Sequence, residues 1–496
     1  MIKILLTYLI FLFIPLLALA QNEPPLVEDF IEGARDVNTF AMNDHVNILQ
    51  VNKDNENFDL MAVNDKMQVL WTNSFTGYAL SVDKFKDKII ALVSTDHSFF
   101  KGSNDTYKAY LVDPANGKLI VEKVIYTGPN EYRCFAQLNT GKGAFMKLAV
   151  RQTGLKRSIK VALPGPLAFF SIRSYNRQGI QTTAMQILDF DEKLNVASTI
   201  TPIISNGTYI STDWNKQGDM FVSWLNGPSV EVYKYDAGKT SPSTQMTASV
   251  TFKEDKDNDP SDNVIFKPSD DGKTLYYTML YKNLDKDLEF GIGKLDFSTN
   301  KKDYTAQLIT KKYLKSIKKS FIPVNKDIDD VDMGSPGGMS IRYMDEIDGK
   351  IVTALSSRAI QSSSINSYGV WRIEDATLLI GYDTGLQQRF QTVLPSGYAV
   401  PERTLATGYH FVKNKLYVLA NNKSGMRTIK GMYGVLDVNT GQWDKMTMLS
   451  KKHISNSDFM DGTSILWFGN NYIVPYFKPK GFTQSKYNIT LQQNQY

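Results

Sequence analysis

The chain has 496 residues, one of them cysteine, and its 56 Lys and Arg against 51 Asp and Glu give a formal net charge of +5. A single cysteine excludes an intrachain disulfide, a cysteine-based zinc cluster and CxxC redox chemistry, so the fold has to be held by its core. The charge is too mild to imply nucleic acid without a concentrated basic patch.

The first twenty residues read MIKILLTYLIFLFIPLLALA: Lys3, a predominantly apolar run from Ile4 to Ala20, and a small-x-small close at Ala18-Leu19-Ala20. This is the pattern of a secretory signal peptide, 1–20, and predicts a secreted or periplasmic protein. A membrane anchor fits less well, because 17 residues lie at the short limit for spanning and Pro15 interrupts them. No later run approaches that length, so no membrane span is expected beyond it. The absence of a cysteine after the run argues against lipid attachment there. Residues 21–44 read as an N-terminal extension, 45–480 as the folded body and 481–496 as a polar C-terminal tail.

From Leu60 onward two kinds of β-hairpin alternate. The first kind runs as a strand ending in Asp, Asn or a similar turn residue, then a polar turn and a second strand: LMAVNDKMQVLW (Leu60 to Trp71), AYLVDPANGKLIV (Ala109 to Val121), MQILDFDEKLNVAS (Met185 to Ser198), VEVYKYDAGKTSP (Val230 to Pro242), GKLDFSTNKKDY (Gly293 to Tyr304), LIGYDTGLQQRF (Leu379 to Phe390) and YGVLDVNTGQW (Tyr433 to Trp443). The second kind has a tight polar turn followed by a strongly apolar strand, as in ALSVDKFKDKIIALV, CFAQLNTGKGAFMKLAV and, last in the chain, SILWFGNNYIVPYF (Ser464 to Phe477). Each kind occurs seven times.

Strict alternation of two hairpins is what a β-propeller produces, because each blade is a four-stranded antiparallel sheet that buries its faces against its neighbours. With the second hairpin as strands a and b and the first as c and d, the terminal pairs are halves of one blade. An all-β, seven-bladed propeller is therefore predicted, closed by pairing Ser464–Phe477 with Leu60–Trp71. VNILQVN (Val46 to Asn52) is a surplus strand in that count, and eight blades is the alternative. A β-sandwich also has many short strands but does not predict this alternation.

The Asp-x-x-Thr-Gly turn of VLDVNTGQW resembles those of quinoprotein-like repeats in secreted or periplasmic β-propellers, over nearly the whole chain. Only Trp71 and Trp443 close a c-d hairpin, where that family carries Trp in every blade, and no quinone or other cofactor is carried over. No recurrent WD dipeptide or kelch double glycine is found.

Propellers place a-b and c-d turns on one rim and b-c and d-a connections on the other. The former are short here, whereas the b-c connection after Val150 runs about 33 residues and the d-a connection after Ile309 about 30, against a usual median near 4–6. The segment from Arg151 to Thr183 holds Arg151, Lys156, Arg157, Lys160, Arg173 and Arg177 without an acid, and Asn421 to Gly431 adds Lys423, Arg427 and Lys430. Arginine forks in a concave rim suit carboxylate, sulfate or phosphate. Arg151, Lys156, Arg157, Arg173, Arg177, Arg427 and Lys430 are the candidate ligand-binding residues, with Phe169, Phe170, Tyr175 and Tyr368 as stacking surface. For Lys311 to Lys319 the plainer account is a solvated amphipathic turn pinned by Leu314, Ile317 and Phe321.

Catalytic and metal signals are weak. EDKDNDPSDN spaces Asp255, Asp257 and Asp259 like a calcium loop, but Pro260 stands where the glycine is needed and Phe266 where the bidentate glutamate belongs. The histidines, His45, His97, His410 and His453, form no pair at metal-ligand spacing, and no nucleophile elbow or phosphate loop is present. No metal and no catalytic residue is assigned. The expected function is an exported binding module for an anionic small molecule, an acidic glycan or a protein surface. The alternative is a polysaccharide hydrolase or lyase acting through the axial funnel.

Overall fold

The computed structural model describes residues 24–95, 105–129, 133–153, 181–250, 263–321, 331–362, 370–401, 407–424, 428–449, 454–455, 458–480 and 486–496. Residues 1–20, read above as a signal peptide, lie outside them.

Eight antiparallel sheets follow one another along the chain. Blade 1 spans 36–76, blade 2 78–127, blade 3 133–200, blade 4 208–249, blade 5 264–308, blade 6 339–394 and blade 7 407–448; blade 8 combines 459–495 with 26–34. Within each complete blade the a-b hairpin precedes the c-d hairpin in the order expected. In blade 2, Tyr78–Phe85 pairs with Lys88–Ser94, which pairs with Thr106–Val112 and then Leu119–Thr127.

The count of seven is corrected to eight, and the closing pair is a different one. Val46–Asn52 is not surplus: it pairs with Asp36–Asn43 on one side and Asn57–Asn64 on the other, making a complete blade 1 with Val69–Thr76. Leu60–Trp71 is therefore satisfied within its own blade. In blade 8 the strand Asn471–Lys480 pairs with Lys486–Gln495, and Lys486–Gln495 pairs with Leu26–Ala34 from the opposite end of the chain. The last sheet has four C-terminal strands, with the short Phe459–Met460 and Leu466–Trp467 both pairing Asn471–Lys480, and its outermost strand is N-terminal. The stretches read as extension and polar tail are thus the closing strands, with Ile31, Ile489 and Leu491 buried.

Every blade face is covered. Eight apolar clusters of buried residues each join two adjacent blades, including blade 8 to blade 1 through Ile31, Leu49, Val63, Phe459 and Ile473. The recurrent aspartate has a local cause. Its carboxylate caps the c-d turn: Asp437 Oδ1 accepts from the Asn439 and Thr440 amides at 2.8 and 3.2 Å, and its carbonyl accepts from Gly441 at 2.8 Å. Gly441 has φ 71°, a left-handed conformation that glycine adopts without a side-chain clash.

The helix Lys311–Ser320 lies in the connection from blade 5 to blade 6. Thr310 caps it, Leu314 and Ile317 are buried, and Phe321 packs beside them while its five lysines stay outside. This agrees with the amphipathic reading of Lys311–Lys319.

Candidate functional site

The b-c and d-a connections converge on one rim, and blades 6, 7 and 8 raise their b and c strands above it. Those strands are 13 and 14 residues long in blade 6 and 10 in blades 7 and 8, against 7 in the corresponding strands of blade 2. In blade 6 the raised part is broadened by Tyr398–Pro401, which pairs with Trp371–Glu374.

Arg151 stands on this rim, on strand b of blade 3 (Lys147–Thr153). Its guanidinium carbon lies 4.9 Å from the centre of the Phe135 ring and 4.6 Å from that of Tyr209. Phe135 faces Arg151 directly in the a-b register, and Tyr209 comes from the inner strand Thr208–Trp214 of blade 4. The planar cation is held between two aromatic faces, an arrangement favoured by the ring quadrupoles. Among the described residues its guanidinium donates one hydrogen bond, from Nη1 to Thr182 Oγ1 at 3.3 Å. No carboxylate forms an ion pair with it among the described residues. Burial lowers the Arg151 pKa, but an arginine starts so high that it remains charged. Burial also pushes the Tyr209 hydroxyl up to about 12, so that ring stays neutral. The result is a half-buried cation with no counter-charge among the described residues.

The other candidates fare differently. Lys430 is described, half-buried on strand c of blade 7, four blades away and so across the ring from Arg151. Lys156, Arg157, Arg173, Arg177 and Arg427 lie outside the described residues, as do Phe169, Phe170, Tyr175, Tyr368 and the calcium-like Asp255, Asp257 and Asp259. The structure therefore adds two residues that the sequence reading missed, Phe135 and Tyr209. The first was within reach, because an a-b hairpin with its turn at Thr140–Ala144 puts Phe135 opposite Arg151; the second comes from the next blade and has no local signal.

Lower on the axis, the inner strands of blades 4, 5 and 6 carry Asp213, Lys267 and Asp345. Lys267 Nζ meets Asp345 at 2.7 Å, and the Tyr343 hydroxyl donates to the same carboxylate at 3.3 Å. Asp213 accepts from Ser211 Oγ at 2.5 Å, yet burial raises its pKa to about 6. Within blade 6, Arg342 Nε meets Glu374 at 3.1 Å and donates to Ser356 Oγ at 3.0 Å, while Tyr343 stacks on Tyr409 of blade 7 at 4.4 Å. Asp345 and Glu374 are thus already engaged by cations. No group of three or more His, Cys, Asp or Glu fit to hold a metal ion occurs among the described residues.

No family model matches this chain, and no curated protein does. Solved structures do. A europium-containing methanol dehydrogenase aligns over 95% of this chain and 92% of its own, at 9% identity and a TM-score of 0.42. The quinohemoprotein alcohol dehydrogenase of Comamonas testosteroni aligns over 95% and 76%, at 10% identity and 0.40. The WD40 domain of SCAP from fission yeast aligns over 95% and 98%, at 7% identity and 0.41. The resemblance to quinoprotein-like propellers is generic.

Proposed function

We propose that this protein is a binding module whose long-loop rim captures an anionic ligand, with Arg151 as the anchoring cation. The observation that supports this is the Arg151 setting: a guanidinium partly withdrawn from water, oriented by Phe135 and Tyr209, and paired with no carboxylate among the described residues. Desolvation strengthens what it offers to a carboxylate, sulfate or phosphate, and the ring clamp limits the orientational entropy lost when the fork engages. The acid-free sequence from Arg151 to Thr183 would add long-range attraction. The apolar run from Ile4 to Ala20 supports export, which sequencing the N-terminus of the mature protein tests.

The functional test is a panel of acidic glycans, phosphorylated compounds and polycarboxylates titrated into the wild-type protein, Arg151→Gln and Arg151→Lys. A ligand held by the fork should bind Arg151→Gln about 10–100 times more weakly, the range a charge-assisted hydrogen bond supplies. Arg151→Lys keeps the charge but loses the planar donor pair and should recover only part of the affinity. Binding that ignores both substitutions and added salt would move the ligand away from this rim.

A further inference from the structure

Blades 4 and 5 part toward their outer edges on the same rim, leaving a cleft of about 370 Å³ that no step above uses. Its blade 4 wall is Ser249 and Val250; the other wall is Tyr281, Glu289 and Tyr304, with Asn283 and Asp285 at the b-c turn. Glu289 stands on strand c (Leu288–Asp296), directly opposite Tyr281 on strand b (Thr274–Lys282). Its Oε1 accepts from the Tyr281 hydroxyl at 2.7 Å and its Oε2 from Asn283 Nδ2 at 3.2 Å. Tyr281 spends its proton on Glu289, so the 2.8 Å contact between the two tyrosines is a donation from Tyr304. Burial raises both tyrosine pKa values well above their usual range, which keeps both protons in place.

Two features mark the cleft as more than surface relief. Glu289 is half-buried and makes no ion pair among the described residues. Lys282, the next residue on strand b, alternates to the other face of the strand from Tyr281. Alongside, Tyr304 lies flat across Gly291, where a Cβ would collide with its ring, and stacks on Tyr277 at 6.2 Å and 17°. It remains 37% exposed, its ring braced and its hydroxyl occupied.

A carboxylate drawn partly out of water without a counter-charge favours a cation, and an adjoining tyrosine face adds a cation–π contribution. We propose that this cleft binds an organic cation, an ammonium or guanidinium head group, with Glu289 as its counter-charge and Tyr304 as its aromatic wall. Leu284, 63% exposed on the lip, would cover the apolar stem.

The test is calorimetric titration of the full chain with choline, spermidine and the blocked amino acids N-acetyl-lysine methylamide and N-acetyl-arginine methylamide. A lysine-containing peptide and its norleucine analogue separate a free amine from a side chain. Saturable binding is expected, weakening with salt, at least tenfold poorer in Glu289→Gln and several-fold poorer in Tyr304→Leu. Glu289→Gln keeps an acceptor for Tyr281 and is checked by its melting curve. If it fails to fold, Asp285→Asn on the exposed turn and Tyr304→Phe decide: the first should weaken binding and the second, retaining the ring, should largely preserve it. Absence of saturable binding by every cation, equal binding to the neutralised variants, or preferential binding of neutral saccharides such as cellobiose would overturn the proposal.

Discussion

Aspartates in two different settings give this protein opposite responses to acid. Asp213 has its pKa raised by burial to about 6, so between 3.8, the ordinary aspartate value, and about 6 the folded protein holds a proton there that the unfolded chain has already released. Stability from this group is complete below that value and is lost as pH rises through about 6. Asp213→Asn should therefore be more stable than wild type at pH 8, by at most about 3 kcal/mol at roughly 1.4 per pKa unit, and show no such advantage at pH 4. The turn aspartates run the other way. Hydrogen bonds from Ser298 and Thr299 lower Asp296 to about 2, and the Lys415 ammonium with the turn amides lowers Asp437. Their contribution is present above the unfolded value and disappears as pH falls through the folded one, so denaturation below pH 4 should begin with protonation of the c-d turns. Urea melts at pH 8, 4 and 2.5 on wild type, Asp213→Asn and Asp437→Asn separate the two effects. Cys134 adds a simpler test: it is 5% exposed on an inner strand, with its sulfur against Gly128, and should resist thiol reagents until the protein unfolds. Rapid labelling of the native protein would contradict that placement.

Between elements, the blades are joined by amide clamps as well as by apolar faces. Asn421, fully buried on strand b of blade 7, donates from Nδ2 to the Met460 carbonyl and accepts the Met460 amide with Oδ1, both at 2.9 Å. Asn52 at the end of strand b in blade 1 does the same to Ala79 of blade 2, at 3.0 and 3.1 Å. Each side chain extends its own strand sideways to pair with the inner strand of the next blade. Asn421→Leu should cost about 2–3 kcal/mol, because it leaves a buried amide and carbonyl without partners. The same substitution at Asn52 should add to it nearly independently, because the two clamps share no partner and sit at different blade boundaries, 7/8 and 1/2; equal melting midpoints for wild type and either single variant would show the clamps to be idle. Sequence pattern does not show these clamps, since an asparagine at a strand end also reads as the start of a turn. The tryptophans are similar. Trp71 donates to the Pro114 carbonyl of blade 2 at 2.8 Å across Gly117, and Trp443 reaches back to the Val393 carbonyl of blade 6 at 3.1 Å.

For the whole molecule the decisive contact is the pairing of its two ends. Leu26–Ala34 against Lys486–Gln495 turns an open arc into a ring, and Asn488 reinforces it by accepting the Gly33 amide at 3.3 Å and donating to Asp29 at 3.1 Å. Removing residues 24–35 should leave Lys486–Gln495 as a bare edge strand on blade 8 and a buried apolar face open to water, giving aggregation or a large drop in melting temperature. Size-exclusion chromatography and a thermal melt of the truncated protein check this; a monomer with the parent's melting temperature would show that closure contributes little.

The sequence by itself determined the all-β class, the alternation of two hairpins, the assignment of each to the inner or outer half of a blade, and the capped Asp turns. All of these depend on contacts within a few residues, and period-2 alternation and turn chemistry report such contacts directly. The tertiary structure decided the number of blades and the way the ring closes. KYNITLQQNQ carries Tyr487, Ile489 and Leu491 on one face, yet its glutamines and asparagines read as a tail until a partner more than 450 residues away is supplied. The same limit applied at the rim, where Arg151 announced itself as a cation and Phe135 was one hairpin register away. Tyr209 became its second wall only when blade 4 packed against blade 3. Local pattern specifies strands and turns, but closure and binding clefts arise between blades, where residues distant in the chain meet through burial of shared faces.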